Sequence, residues 1–133
     1  MLNPAAVLAG LCYSGKGMGL NNGALQDVHG GCRWSGTLWV PVAGLTPDDW
    51  GPLPRGFYEM QLPPVDTETH GPYVIWFTPD PENEMFGRSA FGEHGDEVEN
   101  PGKFLGSDGC IVALRTLRLL MANSSDTRVQ VTA

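Results

Sequence analysis

The chain has 133 residues, a length that suits one domain with a modest core, and 41% of them are hydrophobic, which excludes a disordered chain. Its net charge of −7 argues against nucleic acid and anionic membrane surfaces as partners, because both attract clustered Lys and Arg. The 18 glycines and 11 prolines favour many turns and few long helices, so we expect a mainly β fold.

The first part of the chain predicts a strand and then a loop. Residues 5–13 are apolar and favour a strand, although their alanines leave a helix open. Residues 14–23 carry four glycines but lack the Walker spacing of a phosphate-binding loop. The N-terminus lacks the basic start of a secretory signal, and no apolar run is long enough to span a membrane. We therefore expect synthesis in the cytoplasm without a clear signal peptide.

The region from residue 30 to residue 50 contains Trp34, Trp39 and Trp50, with a predicted strand at residues 37–40. Two interpretations stay open for it. It is a satellite hairpin whose tryptophans cover one end of the core, or it is a lid over a cleft. The proline-rich residues 51–56 that follow predict a rigid turn.

Two strands, a helix and a last strand are predicted in the remainder. Residues 57–62 alternate as a strand does, and a Pro-Pro pair is expected to end it. Residues 73–78 are apolar on both faces and predict a central strand. Residues 114–121 place leucines at helical spacing with two arginines on the opposite side, so a helix is expected to end near Asn123. Residues 128–132 read as the last strand.

One His and one Cys, each beside a glycine at a strand-loop junction, are the candidate catalytic pair. His94 closes an apolar-aromatic run, and Cys110 precedes a short β-prone run. A thiol has a free pKa of about 8.5, and an imidazole within hydrogen-bond reach can take its proton and stabilise the resulting ion pair. The Gly95 carbonyl is the candidate group that fixes the imidazole ring and its tautomer.

The turn before Cys110 is the candidate oxyanion site. The backbone amides of Asp108, Gly109 and Cys110 are expected to point at one spot, since a glycine permits an unusual turn. Ser107 either donates a hydrogen bond in the site or caps the turn. Asp108 would disfavour a thiolate if it faced the sulfur, so we expect its side chain to point outward.

The three cysteines Cys12, Cys32 and Cys110 are an odd number, so at least one has no partner within the chain. Cys12 and Cys32 pair only in an oxidising compartment. The chain has no Cys-x-x-Cys and no His-rich spacing, which argues against a zinc site, and no metal or cofactor is predicted. His29 and His70 are read as loop residues outside the site.

The combined pattern resembles the L,D-transpeptidase catalytic domain. That family's signature is His-Gly or His-Ser, a loop, and then Ser-x-Gly-Cys with an aliphatic residue, which His94-Gly95 and residues 107–111 match at a separation of 16 positions. Upstream segments resemble the branch that includes type VI secretion effectors and related phage proteins. These are Tyr13-Ser14-Gly15, Asn21-Asn22, residues 51–58 and Phe86-Gly87-Arg88.

The resemblance implies a single catalytic domain over residues 1–133, with an insertion at about residues 30–50. The implied fold is a closed or sandwiched β-sheet with one short helix after the Cys strand, and the strands at His94 and Cys110 must be neighbours. Many relatives carry Arg directly after Cys-Ile, where this chain has Val112. Arg88 or Arg115 would take over its role of binding a substrate carboxylate.

The implied activity is thioester chemistry on peptidoglycan. Cys110 would attack the diaminopimelate–D-alanine bond of a tetrapeptide stem and His94 would move the proton, giving L,D-carboxypeptidase, L,D-transpeptidase or D-amino acid exchange activity. Such a protein is a candidate antibacterial effector or phage lysis protein acting in the periplasm or cell wall after delivery by another system. A delivery or immunity protein is then a candidate partner. The alternatives are a peptidoglycan-binding module without catalysis and a phage structural or assembly module that retains the fold.

Overall fold

Most of the secondary structure belongs to β-strands. The computed structural model describes residues 12–96, 98–99 and 102–132, and these contain one α-helix, α1 (Arg115–Ala122). The strands are β1 (Cys12–Ser14), β2 (Val28–His29), β3 (Cys32–Trp34), β4 (Trp39–Pro41), β5 (Gly56–Thr67), β6 (Gly71–Pro79), β7 (Gly92–His94), β8 (Ile111–Ala113) and β9 (Arg128–Val131). The expectation of a mainly β protein with one short helix is confirmed. The predicted strand at residues 5–13 falls mostly outside the described residues.

Six strands form the main sheet, in the order β1-β8-β7-β6-β5-β9. Its neighbours are antiparallel except β7 and β8, which run parallel and place Glu93 beside Ile111 and His94 beside Val112. The expected adjacency of the His94 strand and the strand after Cys110 is therefore confirmed. The two strands have only three residues each and His94 pairs with Val112, so His94 lies two positions along the ladder from Cys110, which directly precedes β8.

The sheet is curled rather than flat. Its two edge strands, β1 and β9, contribute Cys12–Ser14 and Val131 to the wall of one cavity of about 220 Å³. The core cluster includes side chains of β5 and β6 and extends to the turn before β8. Its buried members are Leu53, Tyr58, Met60, Ile75, Phe77, Phe91 and Cys110.

The prediction that Pro63-Pro64 ends the strand is wrong, because β5 continues to Thr67. Strand β9 pairs only with Gly56–Glu59 of β5, so the second half of β5 has β6 on one side and no ladder partner on the other among the described residues. A proline lacks an N–H and is tolerated where no neighbouring strand needs one. The β5–β6 register shifts between Gln61 and Val65, which accommodates the two prolines.

The predicted central strand and the predicted helix are both present. β6 lies between β5 and β7, and α1 packs against β5, β6 and β7. The helix differs from expectation in the residues that it buries, since Leu114, Leu119 and Leu120 are exposed. Arg118 is buried beneath the helix instead of facing solvent, whereas Arg115 is exposed. No helix in the described residues has the length and apolar character needed to cross a membrane.

The tryptophan-rich region forms a separate three-stranded antiparallel sheet, β2-β3-β4. His29 stacks on Trp39 at 5.0 Å between ring centroids and meets Trp50 edge-on at 4.1 Å, and Trp34 packs on Trp39 at 5.1 Å. A β-bridge between Lys16 and Trp50 ties this small sheet to the loop after β1. The region packs as a satellite around its own aromatic cluster.

Candidate active site

Three side chains with nucleophilic or basic atoms meet at the junction of β7, β8 and the β5–β6 turn. One atom from each of His94, Cys110 and His70 lies within 4.8 Å of the other two. His94 ends β7, Cys110 directly precedes β8, and His70 sits in the three-residue turn between β5 and β6. The register between the parallel strands β7 and β8 brings His94 and Cys110 together, and the β5–β6 hairpin places His70 next to them.

The His94 ring is oriented by the backbone. Its Nδ1 atom lies 2.7 Å from the Gly95 carbonyl oxygen, the partner expected from the sequence, so Nδ1 carries the proton and Nε2 is left as the acceptor. Burial lowers the pKa of His94 below its usual value, and the positive charges of His70 and Arg118 act in the same direction. The Gly95 hydrogen bond and the Asp108 charge oppose this. His94 is therefore a neutral imidazole at neutral pH, the form that accepts a proton.

Cys110 is held as a thiol. Its side chain is 7% exposed, and its Sγ–H points to the Ala90 carbonyl at 3.7 Å. Burial raises its pKa to about 11, while the Gly92 amide and the Arg88 charge favour the thiolate and the Asp108 charge disfavours it. The sequence suggested a thiolate–imidazolium pair. In the folded protein both partners are neutral at rest, because desolvation disfavours charge on each.

Ser107 caps the turn before Cys110. It is fully buried, and its hydroxyl donates to the Cys110 carbonyl. The same oxygen accepts from the amides of Gly15 and Gly109, at 2.9 and 3.0 Å. Of the two roles considered for Ser107, the structure shows the cap. The Gly109 amide is consequently committed to Ser107, which removes it from the three amides expected to face an oxyanion.

Gly109 occupies a position that only glycine fits. Its φ of +121° is in the region that L side chains rarely adopt, and a β-carbon there would lie 2.2 Å from Nη2 of Arg88 and 2.6 Å from the Phe91 ring. Its carbonyl accepts a hydrogen bond of 2.8 Å from the Ser14 hydroxyl. Contacts with Arg88 and with Ser14 of β1 therefore both hold this turn in place.

Arg88 supports this turn from inside the protein. Its side chain is 4% exposed and donates to the carbonyls of four residues, which are Gln26, Gly51, Pro52 and Asp108. The guanidinium also lies 4.9 Å from the centre of the Phe91 ring. The predicted contact between Arg88 and a substrate carboxylate does not fit this position, because its two Nη groups donate to backbone oxygens in the interior.

Asp108 faces outward, as expected. Its carboxylate is 3.3 Å from Nζ of Lys16, and its side chain is 60% exposed. It is one of the residues lining a cleft of about 400 Å³ beside the histidines. Others that line this cleft are Glu68, Thr69, His70, Gly71, Pro72, His94, Gly95, Asp96, Gly106 and Arg118. No residue of the tryptophan-rich region appears among the described residues of this lining, which favours the satellite interpretation over the lid.

The arginine of the cleft is Arg118, and neither of the two predicted arginines lies there. Arg118 donates through Nε to the Ala113 carbonyl and through Nη1 to those of Pro72 and Tyr73. Its Nη2 would be 3.0 Å from a β-carbon on Gly95. Arg115 instead lies over the Tyr73 ring at 4.9 Å and lines an adjacent, largely apolar cavity of about 430 Å³, which shares Gly95, Asp96 and Arg118 with the cleft.

His70 was missed by the sequence analysis. Its ring centroid is 5.0 Å from that of His94, and its Nδ1 pairs with the Thr69 hydroxyl at 2.8 Å. One signal was available, since His70-Gly71 repeats the His-Gly pair of His94-Gly95. Nothing in the spacing of 24 positions between the two histidines shows that they meet.

The three cysteines are all free thiols, with Cys12 exposed and Cys32 partly buried. Comparisons with protein-family models, curated proteins and solved structures found no match to this chain.

Proposed function

We propose that this protein is a cysteine acyltransferase that acts on peptidoglycan stem peptides, in the manner of the L,D-transpeptidases that its motifs resemble. The observation that carries the proposal is the proximity of His94 and Cys110, with His94 lining the cleft, Cys110 buried next to it, and His94 Nδ1 tied to the Gly95 carbonyl. A buried thiol beside a neutral, oriented imidazole is the arrangement that general-base activation of a nucleophile needs.

In the first half-reaction, Nε2 of His94 accepts the thiol proton as Sγ of Cys110 attacks the diaminopimelate carbonyl. An S–C bond forms, the C–N bond to D-alanine breaks, and His94 passes its proton to the departing amine. The amides of Asp108 and Cys110 are the candidates for stabilising the oxyanion, since the Gly109 amide is committed to Ser107. Proton transfer accompanies attack here, because both groups are neutral at rest.

In the second half-reaction, water or an amine attacks the thioester and His94 returns to its neutral form. Water gives L,D-carboxypeptidase activity, and an amine gives transpeptidation or D-amino acid exchange. Arg118 is the candidate partner for a carboxylate of the stem peptide, since it lines the same cleft as His94 and, among the described residues, its Nη2 makes no bond to a backbone carbonyl, unlike both Nη atoms of Arg88. This role replaces those expected of Arg88 and Arg115.

The test is incubation of purified protein with bacterial sacculi, followed by mass analysis of the muropeptides. We expect tetrapeptide stems to be lost with release of D-alanine. Cys110→Ala and His94→Ala should each lower the rate by at least about a hundredfold while the circular dichroism spectrum is unchanged. Cys32→Ala is the matched control, because Cys32 is a free thiol away from the cleft, and it should retain the activity.

The rival functions predict different results. A peptidoglycan-binding module would bind sacculi with Cys110→Ala as well as with the native chain and leave every stem intact. A phage structural or assembly module would form stable oligomers and likewise leave the muropeptides unchanged. Unchanged tetrapeptide abundance across several pH values and reducing conditions would contradict the enzyme proposal.

A further inference from the structure

The three side chains at the candidate site are also a set of transition-metal ligands. Imidazole nitrogen and thiolate sulfur are the donors that Zn²⁺ binds most readily in proteins. One donor atom from each of His70, His94 and Cys110 falls within 4.8 Å of the others. In a tetrahedral zinc site, bonds of about 2.0–2.3 Å hold the donors about 3.3–3.7 Å apart, so small side-chain shifts close the set around an ion.

Both imidazoles have the second hydrogen bond that metal-binding histidines use. Nδ1 of His94 is held by the Gly95 carbonyl at 2.7 Å, and Nδ1 of His70 by the Thr69 hydroxyl at 2.8 Å. When Nδ1 of each ring donates its proton in this bond, Nε2 is the coordinating atom and the ring is fixed. One bond lies at the end of β7 and the other in the β5–β6 turn, so each imidazole is oriented independently of the other.

The backbone around His70 is also fixed. Its amide donates to the Thr67 hydroxyl at 2.8 Å, and that hydroxyl donates to the Gly71 carbonyl at 3.2 Å. The His70 ring packs edge-on against Trp76 at 5.2 Å between centroids. The hairpin therefore presents this imidazole to the other two donors at low conformational cost.

The charges near the cluster act on a bound cation in opposite directions. Asp108 lines the same cleft and its carboxylate favours a cation. Arg88 and Arg118 oppose one, although their guanidiniums are directed at backbone carbonyls. With three protein donors, the site differs from the closed four-ligand sites that hold structural zinc.

We propose that His70, His94 and Cys110 form a reversible Zn²⁺ site that blocks the nucleophile. Binding replaces the Cys110 S–H bond by an S–Zn bond and releases one proton, and Nε2 of each histidine supplies a lone pair. Metal binding stands on the geometry alone. Its consequence, inhibition of acyl transfer, rests on the proposed function, because the ion occupies both the sulfur and the atom of His94 that accepts its proton.

The test is equilibrium dialysis of the full, reduced chain against Zn²⁺ alone, with elemental analysis of the bound metal. We expect about one ion per chain, removed by a chelator. His70→Ala and Cys110→Ala should each weaken binding by at least about tenfold. His29→Ala and Cys32→Ala are the matched controls, since neither residue belongs to the cluster, and both should bind like the native chain.

Replacement by Co²⁺ gives a second readout. A sulfur-to-cobalt charge-transfer band should appear with the native chain and be absent from Cys110→Ala. No stoichiometric binding, or binding that survives Cys110→Ala and His70→Ala, would overturn the proposal. These outcomes do not depend on turnover of sacculi. Zinc binding without muropeptide change would refute only the enzyme, and muropeptide change without zinc binding would refute only the metal site.

Discussion

At the residue scale, the state of Cys110 distinguishes two forms of thiol catalysis. A preformed ion pair needs a low thiol pKa, whereas burial here raises the pKa of Cys110 to about 11 and lowers that of His94. In the proposed reaction, the sulfur would therefore stay unreactive until a substrate carbonyl reaches it. A thiol that stays protonated until it attacks its substrate undergoes fewer side reactions with oxidants and other electrophiles.

We therefore predict that Cys110 is alkylated slowly at neutral pH. At pH 7 its thiolate fraction should be on the order of a hundredfold below that of a free thiol with a pKa of about 8.5. Labelling should accelerate as pH rises and level off only near the pKa of about 11. Iodoacetamide labelling followed by peptide mass mapping measures the rate, with glutathione as the reference thiol. Alkylation of Cys110 as fast as glutathione at pH 7 would contradict the neutral resting state.

At the element scale, the turn before β8 is the part of the fold that positions the Cys110 sulfur. The side chains of four residues hold this turn in place. They are Ser107 within the turn, Ser14 of β1, the buried Arg88 and Lys16 at the surface. Each contact is to the backbone or to an outward side chain, so none competes with a substrate for Cys110. The geometry of the turn accordingly depends on residues far apart in the sequence.

Gly109→Ala should disrupt this turn. The β-carbon would collide with Arg88 and Phe91 in addition to requiring a strained φ, so we expect a loss of at least about 2 kcal/mol in the free energy of unfolding. Gly36→Ala is the matched control, since Gly36 has a φ of +101° with nothing within 4 Å of the added carbon. It should cost only the strain, about 1 kcal/mol. Urea denaturation measures both, and equal losses would show that the turn tolerates a side chain.

At the scale of the whole molecule, the helix and the sheet bury an acid beneath the site. Glu93 is 1% exposed, its Oε1 has no hydrogen-bond partner among the described residues, and burial raises its pKa to about 7 despite the opposing charge of Arg118. Its carboxyl group is thus protonated in the folded state up to near-neutral pH. Unfolding exposes it and restores an ordinary pKa, which makes the stability of the molecule depend on pH.

The sign of that dependence follows from the raised pKa. The folded state binds the Glu93 proton more tightly than the unfolded state, so the contribution is full below about pH 4.5 and is lost as pH rises through about 7. Glu93→Gln should therefore be more stable than the native chain at pH 8, by on the order of 1–3 kcal/mol, and should lack this decline. Thermal and urea unfolding from pH 5 to pH 8 measures the difference. Parallel pH profiles for the two chains would contradict it.

Sequence patterns over a few neighbouring residues predicted the elements that depend mainly on those neighbours. The apolar run of β6, the leucine spacing of α1 and the motif around His94 and Cys110 located the central strand, the helix and the candidate pair. Tertiary placement decided the rest. The helical spacing placed Arg118 on the face opposite the leucines, yet Arg118 is buried, and backbone carbonyls accept hydrogen bonds from its guanidinium in the interior.

The same reason explains His70, Arg88 and the strand through Pro63. His70 reaches the site only through the length and register of the β5–β6 hairpin, which Pro63-Pro64 concealed by resembling a strand end. Arg88 resembled a substrate ligand because its motif lies close to the site, and only the fold shows that it lies beneath the turn. Spacing arguments against a zinc site likewise consider neighbours in sequence, whereas the His70–His94–Cys110 cluster exists only in the folded chain.

The central claim is that Cys110 carries the acyl group of a stem peptide, and intact-protein mass spectrometry tests it most directly. The native chain is mixed with purified disaccharide-tetrapeptide, quenched in acid, and mapped by peptide mass. The account predicts an adduct on Cys110 equal to the donor after loss of D-alanine, formed equally by Cys32→Ala and never by Cys110→Ala. Release of D-alanine without a Cys110 adduct at any quench time, or an adduct that persists in Cys110→Ala, would contradict it.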